Sequence, residues 1–236
     1  MFINQKLAWN KTANINTLMN GDYATPATGN NLSMQVAHAI PNTAVALTNA
    51  RVITMNDERA VIENATVLIK GNRIESIARG TAVPEDYTEI DLAGKTIMPG
   101  IIDAHAHGPY AGDDIIPQQN WNLLAHLALG VTTVHNPSSS AKSAFAAAEY
   151  ARTDRILGPR IFSTGEIVYG AKSTSWAPID NLDDALAHVR RLAAQGAISV
   201  KNYNQPRREQ RQQVIEAARQ EGLISVAEGG SLYQLD

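Results

Sequence analysis

The chain has no cysteine in its 236 residues, which excludes a disulfide framework, a thiolate metal site and a cysteine nucleophile. It also lacks a basic excess: 20 Lys and Arg stand against 23 Asp and Glu, a formal net charge of -3. Nothing in that balance attracts a polyanion, so nucleic acid is not an expected partner. No apolar run approaches the ~18 residues a membrane-spanning helix requires. The first residues, MFINQKLAWNKTANINTLMNG, hold no apolar h-region, so no secretory signal is read there. What is present is an ordinary globular balance, 44% hydrophobic and 18% charged. It suffices for one full domain and part of another, and the expectation is a soluble chain with no membrane partner.

Residues 1–44 are rich in Asn, Thr and Gly and follow neither a helical nor a strand period. Such a stretch buries too little surface to order itself and reads as a linker or arm. The texture changes at Val45. VALTNARVITM, ATVLIKGNRIESIA and TEIDLAGKTIMPGIIDAHAH carry β-branched runs broken by Gly-Asn, Pro and Ala-Gly. Val67 and Ile69 share a pleat face, and Gly71-Asn72 turns the chain back into Ile74 and Ile77, a hairpin signal. Residues 45–95 therefore read as a small β domain, too thin for a complete sandwich, whose remaining strands must come from elsewhere.

Over residues 96–236 strands and helices alternate. IMPGIIDAHA is expected as a buried strand, followed by a helix from an Asn120 cap to Gly130. The strand VTTVHN, an Ala-rich helix over about 141–151 and the strand RIFSTG come next. Leu182, Leu186, Val189 and Ala193 mark one face of the following helix. Asp183 and Asp184 fall in its first turn and Gly196 stops it, as the macrodipole prefers. AISVKNY is a strand, a helix is expected to open at Pro206 and end at Gly222, and LISVAE is the fifth strand. Alternation with short loops means a parallel sheet, either doubly wound or a barrel.

Asp103, His105 and His107 stand at alternate positions at the C-terminal end of the first of these strands, so one pleat face would carry all three. Two imidazoles so spaced on a rigid strand reach one divalent cation, and Asp103 would orient a ring from behind. The plainer reading makes them ordinary polar residues at a strand end; the hydrophobic strand that feeds them and the Pro-Gly turn before it favour the metal. Lys201, at the matching end of the fourth strand, is a donor only while protonated. It joins a metal site only when deprotonated or converted covalently to an anion; otherwise it is a solvated lysine. His135 ends the second strand, where it would either line the same mouth or serve the strand end. His126 is read as a packed helix histidine, His188 as a solvated helix-face residue and His38 as part of the arm.

Together, ALTNARVITM, VLIKGNRIESIA, GKTIMPGIIDAHAH, GVTTVHN, SVKNYNQPRR and AEGG resemble the metal-dependent amidohydrolase superfamily. The resemblance is greatest to the imidazolonepropionase- and prolidase-like branch, in members fused behind a WD40-like β-propeller, which are often exported. It implies an α/β fold: a partial (β/α)8 TIM barrel, its first five strands, preceded by part of a composite β-sandwich, with the active site at the C-terminal strand ends. His105 and His107 match the family's first two metal ligands. Lys201 matches a fourth-strand lysine that many members carry as a carbamate bridging two metals. Glu228, at the end of the fifth strand, stands where many relatives place a histidine, and a carboxylate suits zinc or manganese.

The implied cofactor is one or two divalent ions, zinc foremost. The implied substrate is a small amide, a dipeptide, an N-acyl amino acid or a cyclic amide, held by loops 109–117 and 169–178. A complete relative continues through roughly three more strands, which supply another histidine and the aspartate that handles the water proton. No proton-handling residue is therefore assigned here, and the chain is expected to be a fragment of a hydrolase acting on carbon–nitrogen bonds. Its rival is a truncated, non-catalytic barrel with at most weak metal binding. A phosphate-binding isomerase or aldolase barrel fits less well, because of the preceding β domain and the paired histidines. A parallel sheet open after LISVAE further implies self-association through its edge.

Overall fold

A computed structural model of the chain describes residues 44–111, 115–117, 119–172 and 177–229, which divide into two compact units between Pro99 and Gly100. The expected arm, apart from Ala44, lies outside the described residues, as does His38.

The first unit is one mixed sheet of β1 (Ala44–Ile53), β2 (Val61–Lys70), β3 (Arg73–Arg79), β4 (Tyr87–Asp91) and β5 (Thr96–Ile97), in the order β3-β2-β1-β4 with β5 also on β1. The hairpin forms where its turn chemistry demands: Lys70 pairs with Arg73 across Gly71 and Asn72, and Gly71 has φ +58°. A glycine at the first position of a two-residue loop permits that left-handed backbone and matches the strand twist. Ala50, Val52, Ala65 and Val67 form the buried centre, with Ile69 and Ile77 packed against it. β4 and β5 run parallel to β1, while β2 runs antiparallel to it. Among the described residues this unit makes a single sheet.

The second unit alternates strand and helix: β6 (Ile101–Asp103), α1 (Trp121–Ala128), β7 (Val131–Asn136), α2 (Ala141–Arg152), β8 (Arg160–Ser163), α3 (Leu182–Ala194), β9 (Ser199–Asn202), α4 (Arg208–Gln220) and β10 (Ile224–Ala227). All its paired strands are parallel, in the orders β6-β7-β8 and β9-β10, and a single parallel bridge from Val168 to Asn202 ties the segment after β8 to β9. Each strand follows its predecessor without a reversal of order. The two parallel sheets remain separate among the described residues, and a side-chain contact also links them, His135 of β7 and Ser199 of β9 meeting at 2.7 Å.

The helices start and stop largely where their caps put them. Asn120 Oδ1 accepts the N–H groups of Asn122 and Leu123, and Gly130 follows the helix at φ +84°. Asn181 Oδ1 caps α3 by accepting from the Asp184 N–H. On α2 the capping oxygen is a long-range one, because Ser140 makes no cap bond and Glu166 Oε1 accepts the Ala141 N–H at 2.9 Å. A carboxylate there also complements the helix dipole. Two expectations shift. The last helix opens at Arg208 rather than Pro206, since the Arg207 N–H is taken by the Gln210 side chain. On α3 it is Leu192, not Ala193, that completes the fully buried stripe with Ala185, Leu186 and Val189, because Ala193 lies at the edge of a stripe whose period is 3.6.

The expected buried strand IMPGIIDAHA is corrected most. Only Ile101–Asp103 pair as β6, and Ile101 and Ile102 are 48% and 67% exposed. The strand ends because Asp103 Oδ1 accepts the His105 N–H at 3.0 Å, a local turn that draws the backbone out of the extended form.

Gly165, between β8 and α3, has φ +69°, and a methyl group there would lie 2.9 Å from Leu192 Cδ2 and 3.1 Å from Ala141 Cβ. Gly165→Ala is expected to lower stability by about 2 kcal/mol, through backbone strain and overpacking together. The measurement is a urea unfolding curve with a lower midpoint and unchanged slope.

Candidate metal centre

Each candidate residue sits at or just beyond the C-terminal end of a parallel strand. His105 and His107 follow β6, His135 and Asn136 end β7, Lys201 lies in β9, and Glu228 follows β10. His105 and His107 are not on the strand, as the alternation rule had them, but on the turn after it. The turn nonetheless brings the rings edge to face, with centroids 5.0 Å apart and planes at 79°. Asp103 spends its carboxylate on the His105 backbone N–H rather than on an imidazole.

The ring partner that the sequence reading missed is Asn136. It is 1% exposed, and its Oδ1 lies 3.1 Å from His107 Nδ1. The period of β7 gave no signal for it, since His135 beside it was the residue assigned to the site. His135 is itself fully engaged: Nδ1 lies 3.2 Å from the Ala104 carbonyl and Nε2 2.7 Å from Ser199 Oγ. A carbonyl only accepts, so Nδ1 carries the proton and Nε2 accepts from the serine hydroxyl. Neither nitrogen is left for a ligand, and His135 acts as a strap from the β6 turn across to β9.

Lys201 and Glu228 form an ion pair at 2.5 Å, with side chains 3% and 38% exposed. The lysine is thus buried rather than solvated. Its hydrogen bond to Glu228 holds that carboxyl below its ordinary range against the opposing effect of burial, and the positive fields of Lys201, His105 and His107 add to the same effect. Glu228 therefore lies within electrostatic reach of both imidazoles. Its own backbone is fixed as the Glu228 N–H donates to the Asn202 carbonyl at 3.0 Å.

The donor types suit a divalent cation of zinc character, two imidazoles with a carboxylate nearby. Among the described residues, however, no three His, Cys, Asp or Glu side chains already converge on one point, and Glu228 is occupied by Lys201. Of the candidate ligands, the two imidazoles stand side by side. The other histidines stand apart: His126 Nδ1 faces the Asn122 carbonyl of its own helix at 2.7 Å. His188 is half-buried instead of solvated, and burial, assisted by Arg191, lowers its pKa.

Of the loops expected to contact substrate, residues 112–114 and 173–176 lie outside the described residues. The base of the second loop is pinned by buried amides. Gln205 donates to the Val168 carbonyl and accepts the Gly170 N–H, both at 2.7 Å, and Gln210 donates to the Gly170 and Ile179 carbonyls at 2.8 and 2.9 Å. A cavity of about 440 Å³ opens there between Lys172, Asp180, Arg207 and Gln210, and none of the candidate metal-site residues lines it.

No family model matches the chain. It is similar to an imidazolonepropionase of Arthrobacter sp. (strain FB24), 38% identical over 64 residues, which cover 27% of this chain and 16% of that protein. It is similar also to a 5-methylthioadenosine/S-adenosylhomocysteine deaminase of Bacillus thuringiensis (strain Al Hakam), 30% identical over 77 residues, 30% of this chain and 18% of that protein. Among solved structures, a putative prolidase from Bifidobacterium longum superposes with a TM-score of 0.63 at 23% identity, covering 81% of this chain and 51% of that one. Phenylurea hydrolase B gives a TM-score of 0.65 at 20% identity, with 82% and 57% covered. The chain thus spans about half the length of the solved structures it matches, and the matched stretches are under a fifth of the curated relatives. Over the stretches they share, the chain is thus similar in sequence to an imidazolonepropionase and to a deaminase, and in fold to a putative prolidase and to phenylurea hydrolase B.

Proposed function

We propose that this chain is part of a metal-dependent hydrolase of carbon–nitrogen bonds of amide type, and that His105 and His107 hold its divalent ion. The observation that carries the reading is their placement. Both rings stand together on the turn after β6, and Glu228, itself paired with Lys201 at the ends of neighbouring parallel strands, lies within electrostatic reach of them. In curved parallel sheets the carboxyl ends of the strands are where catalytic groups gather. The sequential strand order and the contact between β7 and β9 side chains support reading residues 96–236 as the first five strands of a barrel. Residues 45–95 are then part of the accompanying β domain.

A divalent cation, zinc by the donor set, supplies Lewis-acid polarisation of a scissile carbonyl and acidifies water. Within the chain, His107 offers Nε2 because Asn136 engages Nδ1, and His105 offers the second imidazole. Lys201 holds the Glu228 carboxyl below its ordinary range; a deprotonated Lys201 that added carbon dioxide and lost a further proton would become a carbamate, which would supply a carboxylate-like donor and leave Glu228 without its cationic partner. The names prolidase and phenylurea hydrolase borne by similar structures point to a small amide, dipeptide or urea as substrate.

A second reading has its own support. The Lys201–Glu228 ion pair satisfies both groups without a metal, as a non-catalytic barrel segment with weak metal affinity would have it. Metal analysis of the purified full chain decides. We expect stoichiometric zinc that is lost in both His105→Ala and His107→Ala; a folded, metal-free chain after dialysis against zinc would overturn the hydrolase reading.

A further inference from the structure

The end of β7 makes more bonds to the histidine turn than pairing with a three-residue strand requires. The His135 carbonyl accepts the Ala106 N–H at 2.9 Å, His135 Nδ1 donates to the Ala104 carbonyl at 3.2 Å, and Asn136 Oδ1 meets His107 Nδ1 at 3.1 Å. Through His135 Nε2 the same strand end is moored to Ser199, two residues before Lys201. Consecutive residues of one strand thus hold Ala104, Ala106 and His107, and locate them against β9.

The orientation of Asn136 is determined by a separate contact. Its Oδ1 also takes the Ser138 backbone N–H at 3.0 Å, and a backbone N–H can only donate. The atom facing Ser138, and with it His107, is therefore the amide oxygen, and the flipped amide is excluded. An oxygen acceptor requires that His107 Nδ1 carry the proton, which leaves the Nε2 lone pair outward. A ring whose second nitrogen is engaged in this way is fixed both in tautomer and in direction.

We propose that Asn136 is the positioning residue of the candidate metal centre: held by Ser138, it sets His107 in the Nδ1–H tautomer and presents Nε2 to the cation before any metal arrives. The inference deepens the metal-site reading and rests on it only for the consequence in affinity, because the tautomer belongs to the metal-free chain. Asn136→Leu retains approximate size but removes the acceptor. Asn136→Asp retains acceptors for both the His107 ring and the Ser138 N–H.

The test is performed on the full chain, with nitrogen-15 histidine spectra of the metal-free protein beside zinc titration. The wild type is expected to show His107 protonated at Nδ1. Asn136→Leu should lose that preference and bind zinc about 10–100-fold more weakly, as loss of a ring-orienting partner does, while Asn136→Asp restores both. A wild-type His107 protonated at Nε2 overturns the proposal without any variant, so misfolding of Asn136→Leu cannot shield it. An unchanged tautomer in a folded Asn136→Leu overturns it equally. Absence of zinc binding in the wild type would sink the metal reading alone, and the spectra would still decide the role of Asn136.

Discussion

Leu192→Ala is expected to lower the stability of the second unit by about 3 kcal/mol, within the range for a leucine truncated at a site that cannot collapse. Leu192 has no exposed surface and lies in the cluster built by Val168, Ile179, Ala185, Val189, Val200 and Val214. Its neighbours are held by elements on several sides: Val200 by β9, Val214 by α4 and Ile179 by the amide of Gln210. Gly165 backs it closely and brings no side chain of its own. Relaxation into the gap is therefore restricted, and the cavity term adds to the lost transfer energy. Chemical unfolding followed by circular dichroism is the measurement; a loss below about 1 kcal/mol would mean that the α3 face is more loosely packed than described.

Glu228→Gln in the metal-free chain is expected to cost about 2 kcal/mol at neutral pH, because it strands the buried ammonium of Lys201 without a counter-charge. The figure is set low in the usual range because the Glu228 side chain is 38% exposed and water screens it in part. The sign with pH follows from the direction of its shift. The Glu228 carboxyl is held below its ordinary value of 4.5, first by the Lys201 hydrogen bond. A carboxyl lowered in the folded state stabilises fully above its unfolded value and loses that contribution as pH falls through the folded one. Wild type and Glu228→Gln should therefore differ most near pH 7, and the difference should shrink as pH falls below 4.5 and vanish once it has passed the lowered folded-state value. Parallel unfolding curves across that range, in chelator, would show the pair contributing nothing.

The two expected results draw on parts of the chain that were unequally legible. The α3 stripe was readable from Leu182, Leu186 and Val189, since a helix carries its burial pattern in a 3.6-residue period. Leu192 was missed because Ala193 extends the same stripe just as well on paper. The Lys201–Glu228 pair was not readable at all. Its partners are separated by the whole of α4, and only the parallel register, Val226 beside Lys201, brings the end of β10 to the side of β9. Each was singled out as a metal-site residue, but their neutralisation of one another came from the fold.

The same division runs through the histidine turn. Local chemistry placed His105 and His107 at the end of the first parallel strand, yet strand alternation put them on one pleat face when Asp103 in fact ends the strand with a side-chain bond. Asn136, which directs His107, and Ser199, which receives His135, lie 29 and 64 residues from their partners.

Strand and helix order, the Gly71 turn, the caps at Asn120 and Asn181, and the candidate ligand types were determined by the sequence itself, because each depends on contacts within a few residues. The burial of Lys201, its pairing with Glu228 and the tautomer of His107 were decided only by tertiary structure. Those properties depend on which strands lie side by side, and no local period encodes that.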